Sequence, residues 1–222
     1  MNRFRAYLGS QVQVEISGGK RLSGTLAEVG GDLLVLLIGD RYTYIPFVHV
    51  QKLKACLTCG EAYASTELAR PVHVEAASLS YRNLLMHVRG QFVEIYVSGK
   101  ENVHGYLTSV MNNYFVFYSP VYKTIYISLE HLKWLIPYPP NLTPYSLAQS
   151  LLPVNPNPLP LARSFDEQCK KLVGQLVVFD FGDKEDKIGL LKQVEHSRIE
   201  LINAGGESCH LNLQHLKAVH LP

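Results

Sequence analysis

Between residues 90 and 136 the chain runs through five short segments rich in Val, Ile, Tyr and Phe, broken by Ser-Gly-Lys, Asn-Asn and Ser-Pro. Apolar runs of this length with such breakers predict a meander of antiparallel strands. The same pattern occurs three times. Gly9, Gly90 and Gly174 each open a copy, Gly24, Gly105 and Gly189 follow fifteen residues later, and His49, His131 and His215 close the copies. In copy one, Val12, Val14 and Ile16 alternate with polar residues over 11–16, the period of a half-buried strand. Gly18-Gly19 turns the chain into a second strand over 21–29, and the continuous apolar run 33–38 predicts a strand buried on both faces. A fourth strand over 41–46 meets a tight corner at Phe47-Val48-His49, and a fifth is expected over 50–57. Copy two repeats this over 91–97, 103–111, 114–118, 123–128 and 133–137. Copy three repeats it over 175–181, 187–193, 198–203, 208–212 and 217–221. Short helices are expected ahead of each copy: over 2–8, over 78–87 with Ser80 as cap, and from a Ser164 capping box to Leu172.

Five strands with a corner before the fifth is the order of an Sm-like or SH3-like barrel. The expected fold is therefore all-β: three small five-stranded Sm-like/SH3-like barrels, each preceded by a short helix. The domains are barrel 1 over 1–57, barrel 2 with its helix over 78–137, a linker over 138–163, and barrel 3 with its helix over 164–222. Eight of the twelve prolines fall within 137–163, which predicts a semi-rigid extended linker. A barrel of about fifty residues buries little surface on its own, so copies one and two are expected to share an interface, or the chain to form a homo-oligomer through exposed strand edges.

Composition narrows the function classes. A net charge of +2, with 47% hydrophobic and 18% charged residues, suits packed β domains and points away from nucleic acid and anionic membrane. No apolar stretch is long enough for a membrane helix, and the N-terminus lacks the apolar core of a secretory signal, so synthesis in the cytoplasm is expected. Cys56 and Cys59 form one CxxC, but Cys169 and Cys209 lie singly, so neither a zinc site nor a disulfide framework is expected.

Candidate chemistry is sparse. The recurrent Gly24, Gly105 and Gly189 mark a bulge or bend within the second strand of each copy. His49, His131 and His215 read as corner residues that hydrogen-bond nearby backbone, because no carboxylate, serine or cysteine recurs with them as a catalytic partner. His104 and His196 occupy unlike positions. Asp180-Phe181-Gly182 spells a kinase motif without the other kinase elements, a coincidence. Lys20, Arg21, Lys100, Lys184 and Lys187 form a modest basic set, offset in copy three by Asp183, Glu185 and Asp186. No catalytic residues, metal ligands or cofactor are therefore assigned, and the chain is expected not to be an enzyme. The aromatic third and fourth strands of copy two nominate one contact surface: Tyr114, Tyr118, Tyr122, Tyr126 and Trp134.

The hairpins SGGKRLSG (17–24), SGKENVHG (98–105) and GDKEDKIG (182–189), with the endings HVQK, HLKW and HLKA, resemble the N-terminal repeats of the bacterial spore coat protein B family. Copy one departs by carrying its lysine at the third place after His49, and the family's Ser/Lys/Arg-rich tail has no counterpart in these 222 residues. The resemblance implies an endospore-forming bacterium and a non-enzymatic structural or assembly protein of the spore coat. Its partners would be other coat or assembly proteins. The alternative is an Sm-like RNA-binding protein.

Overall fold

A computed structural model of the chain describes residues 3–56, 79–99, 102–139, 144–146 and 160–222. Cys59, Lys100 and most of the expected proline-rich linker lie outside the described residues. The described chain is mostly β-strand. Copy one supplies β1 (Gln11–Ile16), β2 (Arg21–Val29), β3 (Leu33–Ile38), β4 (Arg41–Pro46), a 3₁₀ turn (Phe47–His49) and β5 (Val50–Ala55). Copy two supplies helix α1 (Tyr81–His87), β6 (Phe92–Tyr96), β7 (Val103–Val110), β8 (Tyr114–Ser119), β9 (Lys123–Ser128), a 3₁₀ turn (Leu129–His131) and β10 (Trp134–Pro137). Copy three supplies α2 (Phe165–Lys170), β11 (Leu176–Phe179), β12 (Ile188–Glu195), β13 (Arg198–Ile202), β14 (Ser208–Asn212), a 3₁₀ turn (Leu213–His215) and β15 (Ala218–His220). The element ahead of copy one is a 3₁₀ helix (Arg3–Tyr7).

The described residues form two compact units. Unit 1 comprises residues 1–96 and 133–142, and unit 2 comprises 97–132 and 143–222. In unit 1 the hydrogen-bonded strand order is β6-β10-β4-β3-β2-β1-β5. In unit 2 it is β14-β13-β12-β11-β15-β9-β8-β7. Copies one and three thus each show the order fifth, first, second, third, fourth. Among the described strands β4 does not bond β5, and β14 does not bond β15. Instead β4 pairs with β10, and β9 with β15. The expectation of three self-contained barrels meets an open ladder in each unit, with strands passed from one copy to the next.

Each unit has its own core. Val12, Val14, Ile16, Leu26, Leu34, Leu36 and Ile45 of copy one pack with Tyr96, Trp134 and Ile136 of copy two. Phe165, Leu172, Val177, Phe179, Leu191, Ile199 and Leu201 of copy three pack with Tyr114, Val116 and Tyr126 of copy two. Burial of alternate residues in β1 follows the sequence period, and the apolar run of β3 is buried on both faces over Leu33–Leu36.

The strand glycines answer to one geometric demand. A Cβ at Gly24, Gly105 or Gly189 would lie 2.4, 2.2 or 2.3 Å from the carbonyl oxygen of Leu37, Tyr118 or Ile202 on the neighbouring third strand. Only hydrogen at that position lets the two backbones approach. A bulge follows in every copy, with register shifts between Leu26 and Glu28, Leu107 and Ser109, and Leu191 and Gln193. Such bulges increase twist and bend the strand.

Candidate interaction interface

In unit 1 the junction of copies one and two places Leu135 of β10 opposite Tyr44 of β4. Both are buried, at 1% and 3% exposure. On one side Arg41 donates to Glu94 at 2.6 Å and stands 4.9 Å from the Tyr138 ring, whose hydroxyl also donates to Glu94. Glu94 is buried, so its charge is held by this guanidinium rather than by water. On the other side Tyr96 and Trp134 stack at 4.2 Å, with Lys20 of the first hairpin 3.9 Å above Tyr96. The turn before β3 closes the junction: Asp32 Oδ1 accepts the backbone N–H of Tyr81 at 2.6 Å, and the Gly31 N–H donates to the Leu79 carbonyl. Ser80 adds its own cap by accepting from the Asn83 N–H. Helix α1 of copy two is thus held at its N-terminus by copy one.

Unit 2 repeats the arrangement. Val219 of β15 lies opposite Tyr126 of β9, flanked by Ala218 opposite Ile127 and His220 opposite Ile125. Asn113 Oδ1 accepts the Phe165 N–H at 2.8 Å, and the Asn112 N–H donates to the Arg163 carbonyl. Asn113 stands in copy two where Asp32 stands in copy one, immediately before the third strand. The Ser164 side chain makes no cap hydrogen bond, so Asn113 does the capping that the sequence assigns to Ser164. Tyr114 donates to the Ala162 carbonyl at 2.7 Å and contacts Gln168. Burial, then the neighbouring Tyr126, pushes the Tyr114 pKa up to about 12, which keeps the phenol a neutral donor.

Asp180 is the most tightly held group of this unit. It is 1% exposed, accepts the backbone N–H groups of Lys217 and Ala218 at 2.7 and 3.2 Å, and pairs with Lys187. It therefore anchors the start of β15. The kinase-like spelling around it has this structural use.

The sequence-nominated residues separate under the structure. Gly24, Gly105 and Gly189 share one role. The three closing histidines all end a 3₁₀ turn but make different contacts. His49 is buried with Nδ1 2.9 Å from Ser17 Oγ, His131 Nε2 lies 3.0 Å from the Gln214 carbonyl, and His215 is exposed. The five nominated aromatics do not form one free surface. Tyr114, Tyr126 and Trp134 are core residues at 0, 2 and 5% exposure, because both faces of these strands are covered. Tyr118 is half-buried, and Tyr122 is half-buried against Phe181 and His220. Among the described residues no group of His, Cys, Asp and Glu is placed to hold a metal. Cys56 is disulfide-bonded, although the sequence led to no expectation of a disulfide framework, and Cys169 and Cys209 are free. No helix among the described residues is long and apolar enough to cross a membrane. Sequence reasoning missed the Arg41–Glu94 pair, Asp180 and the two helix caps. The one available signal for the caps was a side-chain acceptor, Asp32 or Asn113, before the third strand in successive copies.

Arg41→Met should lower stability by about 1–3 kcal/mol by leaving the buried Glu94 carboxylate uncompensated, discounted because Arg41 is partly exposed. Adding Glu94→Gln should recover much of the loss in a urea-unfolding double-mutant cycle. Burial lowers the pKa of both His131 and His220, with backbone acceptors opposing it in each case. The unfolded chain therefore binds protons first as pH falls. Stability should be held above about pH 6.5 and lost below it, toward the folded-state values. Melting temperature against pH, compared with the same curve for His131→Gln, checks this.

Two known proteins and two family descriptions match this chain in sequence. Residues 164–219 match the family described as "YwrJ third domain", and residues 1–56 match "Domain of unknown function (DUF6897)". The chain is similar to "Uncharacterized protein YwrJ" of Bacillus subtilis (strain 168), 45% identical over 225 residues and covering all of both chains. It is also similar to "Spore coat protein B" of the same organism, 27% identical over 141 residues, which is 64% of this chain and 35% of that protein. Full-length identity at this level shows that the chain belongs to the YwrJ family.

Proposed function

We propose that the chain is a non-enzymatic structural or assembly protein of the spore coat type, acting by protein–protein contact through the edges of its repeated β copies. The observation that carries this reading is the likeness to spore coat protein B over 141 residues, spanning more than one copy. The strand junctions support it, since the same edge-to-edge contact is made twice within the chain. Each copy is read as a small Sm-like/SH3-like barrel, on the strength of the fifth-first-second-third-fourth order of copies one and three and of the bulged second strand and 3₁₀ corner of all three. Its partners are coat or assembly proteins that present complementary edges. A fluorescent fusion followed through sporulation should gather at the forespore surface, and uniform cytoplasmic signal throughout would contradict the proposal.

The alternative, RNA binding, draws on Lys20 and Lys133 beside the Tyr96–Trp134 stack. Those rings are only 4 and 5% exposed, which leaves no open face for a base. Binding that weakens steeply with salt in a filter assay would favour this alternative.

A further inference from the structure

Each in-chain junction obeys one register rule, counted from the closing histidine of each copy. The residue four places after the histidine of the later copy lies opposite the residue five places before the histidine of the earlier one. In unit 1 these are Leu135 and Tyr44, and in unit 2 Val219 and Tyr126. Two strands are left over. Among the described strands β5, the fifth strand of copy one, bonds only β1, and β14, the fourth strand of copy three, bonds only β13. One is a fifth strand without a fourth, and the other a fourth strand without a fifth.

We propose that β14 of one chain pairs antiparallel with β5 of a second copy of the same chain, in the register of the two internal junctions. This rests on the reading of the chain as an edge-contact assembly protein and names its partner. The rule sets Leu53 opposite His210, Lys54 opposite Cys209 and Lys52 opposite Leu211.

Two observations carry the pairing beyond the mere presence of open edges, which are general templates for association. Both strands keep the shape of a junction, since Leu53 is half-buried against the unit 1 core and Leu211 against the unit 2 core. Charge selects the pair. Exposed Lys52 and Lys54 repel a second β5, whereas Glu207, just before β14, falls diagonal to Lys54 in this register. The proposed contact is head to tail, so each chain added to the end of an open array presents one open β5 or β14 in turn.

The test uses the purified full chain and its own thiol. Cys209 is free. Directly opposite residues have Cβ atoms about 4.5–5.5 Å apart and diagonal ones about 7–8 Å. A disulfide wants a Cβ separation of about 3.5–4.5 Å, so only the opposite pair is close to bridging distance. Lys54→Cys should give, on mild oxidation, a reducible ladder of whole-number chain masses that disappears when Cys209→Ser is added. Lys52→Cys should give none above background. For the unsubstituted chain, sedimentation velocity should show mass rising with concentration in whole-number steps. A chain that stays monomeric across concentration overturns the inference even if the fusion gathers at the forespore. A ladder formed equally by both cysteine variants overturns the register. Ordered self-association in a chain that never reaches the forespore would leave this pairing standing and remove the coat assignment instead.

Discussion

Replacing Asp180 with Ala should be among the most damaging single changes in the chain, lowering stability by about 3–5 kcal/mol, the range for breaking a buried ion pair. Three groups lose their acceptor at once. The Lys217 and Ala218 N–H groups at the start of β15 are left without a partner, and Lys187, itself only 14% exposed at its side chain, loses its counter-charge. The position is also specialised in its backbone, since Asp180 and Phe181 both adopt positive φ, 49° and 62°. Asp180→Asn should be milder, because an amide oxygen still accepts from the two N–H groups while the charge on Lys187 goes uncompensated. Lys187→Met added to Asp180→Asn should recover part of that difference. Urea unfolding read at both tyrosine fluorescence and circular dichroism orders the series. An alanine variant within about 1 kcal/mol of the native chain, the range of an ordinary surface change, would sink the anchoring role.

Gly105→Ala should be nearly as harmful, toward or beyond the top of the roughly 1–3 kcal/mol that overpacking commonly costs. Its added methyl would meet the Tyr118 carbonyl oxygen at 2.2 Å and the Phe117 ring at 2.7 Å. A ring edge can move, but a carbonyl bonded within a ladder cannot move without opening it. Gly39 offers the contrast. Its φ of 62° strains a side chain, yet a Cβ there meets nothing within 4 Å, so Gly39→Asn should be tolerated. Equal losses at Gly39→Asn and Gly105→Ala would show that general glycine flexibility, not backbone approach, is what these positions supply.

The strands were largely legible because their residues alternate or run apolar over the right lengths, and β1, β2, β3, β4, β9 and β14 begin and end where the pattern says. The repeat markers were legible too, since a local demand, room between two adjacent strands, acts on single positions such as Gly24. What the pattern could not reveal is which strand lies beside which. The helix caps join residues far apart in the chain, Asp32 to Tyr81 and Asn113 to Phe165, and nothing local to either residue announces the partner. The aromatic run of β8 misled for a related reason. In Tyr-Phe-Val-Phe-Tyr every residue is apolar enough to face inward, so no alternation tells an open face from a covered one. Copy three covers Tyr114 and Tyr126 in unit 2, and copy one covers Trp134 in unit 1. Asp180 was hidden because a carboxylate in a charged hairpin reads as solvated, and only the tertiary approach of β15 buries it.

The fourth strands of copies one and two are each completed by the fifth strand of the next copy. Residue-resolved hydrogen exchange tests this most directly, at dilution where the chain is a single copy in solution. In β4 and β9 alternate amides point to opposite neighbours. If β10 and β15 complete these strands, both alternating sets in β4 and β9 should exchange slowly, while β5 and β14 each retain one fast set as internal references. One fast set in β4 and in β9, matching those open edges, would contradict the account.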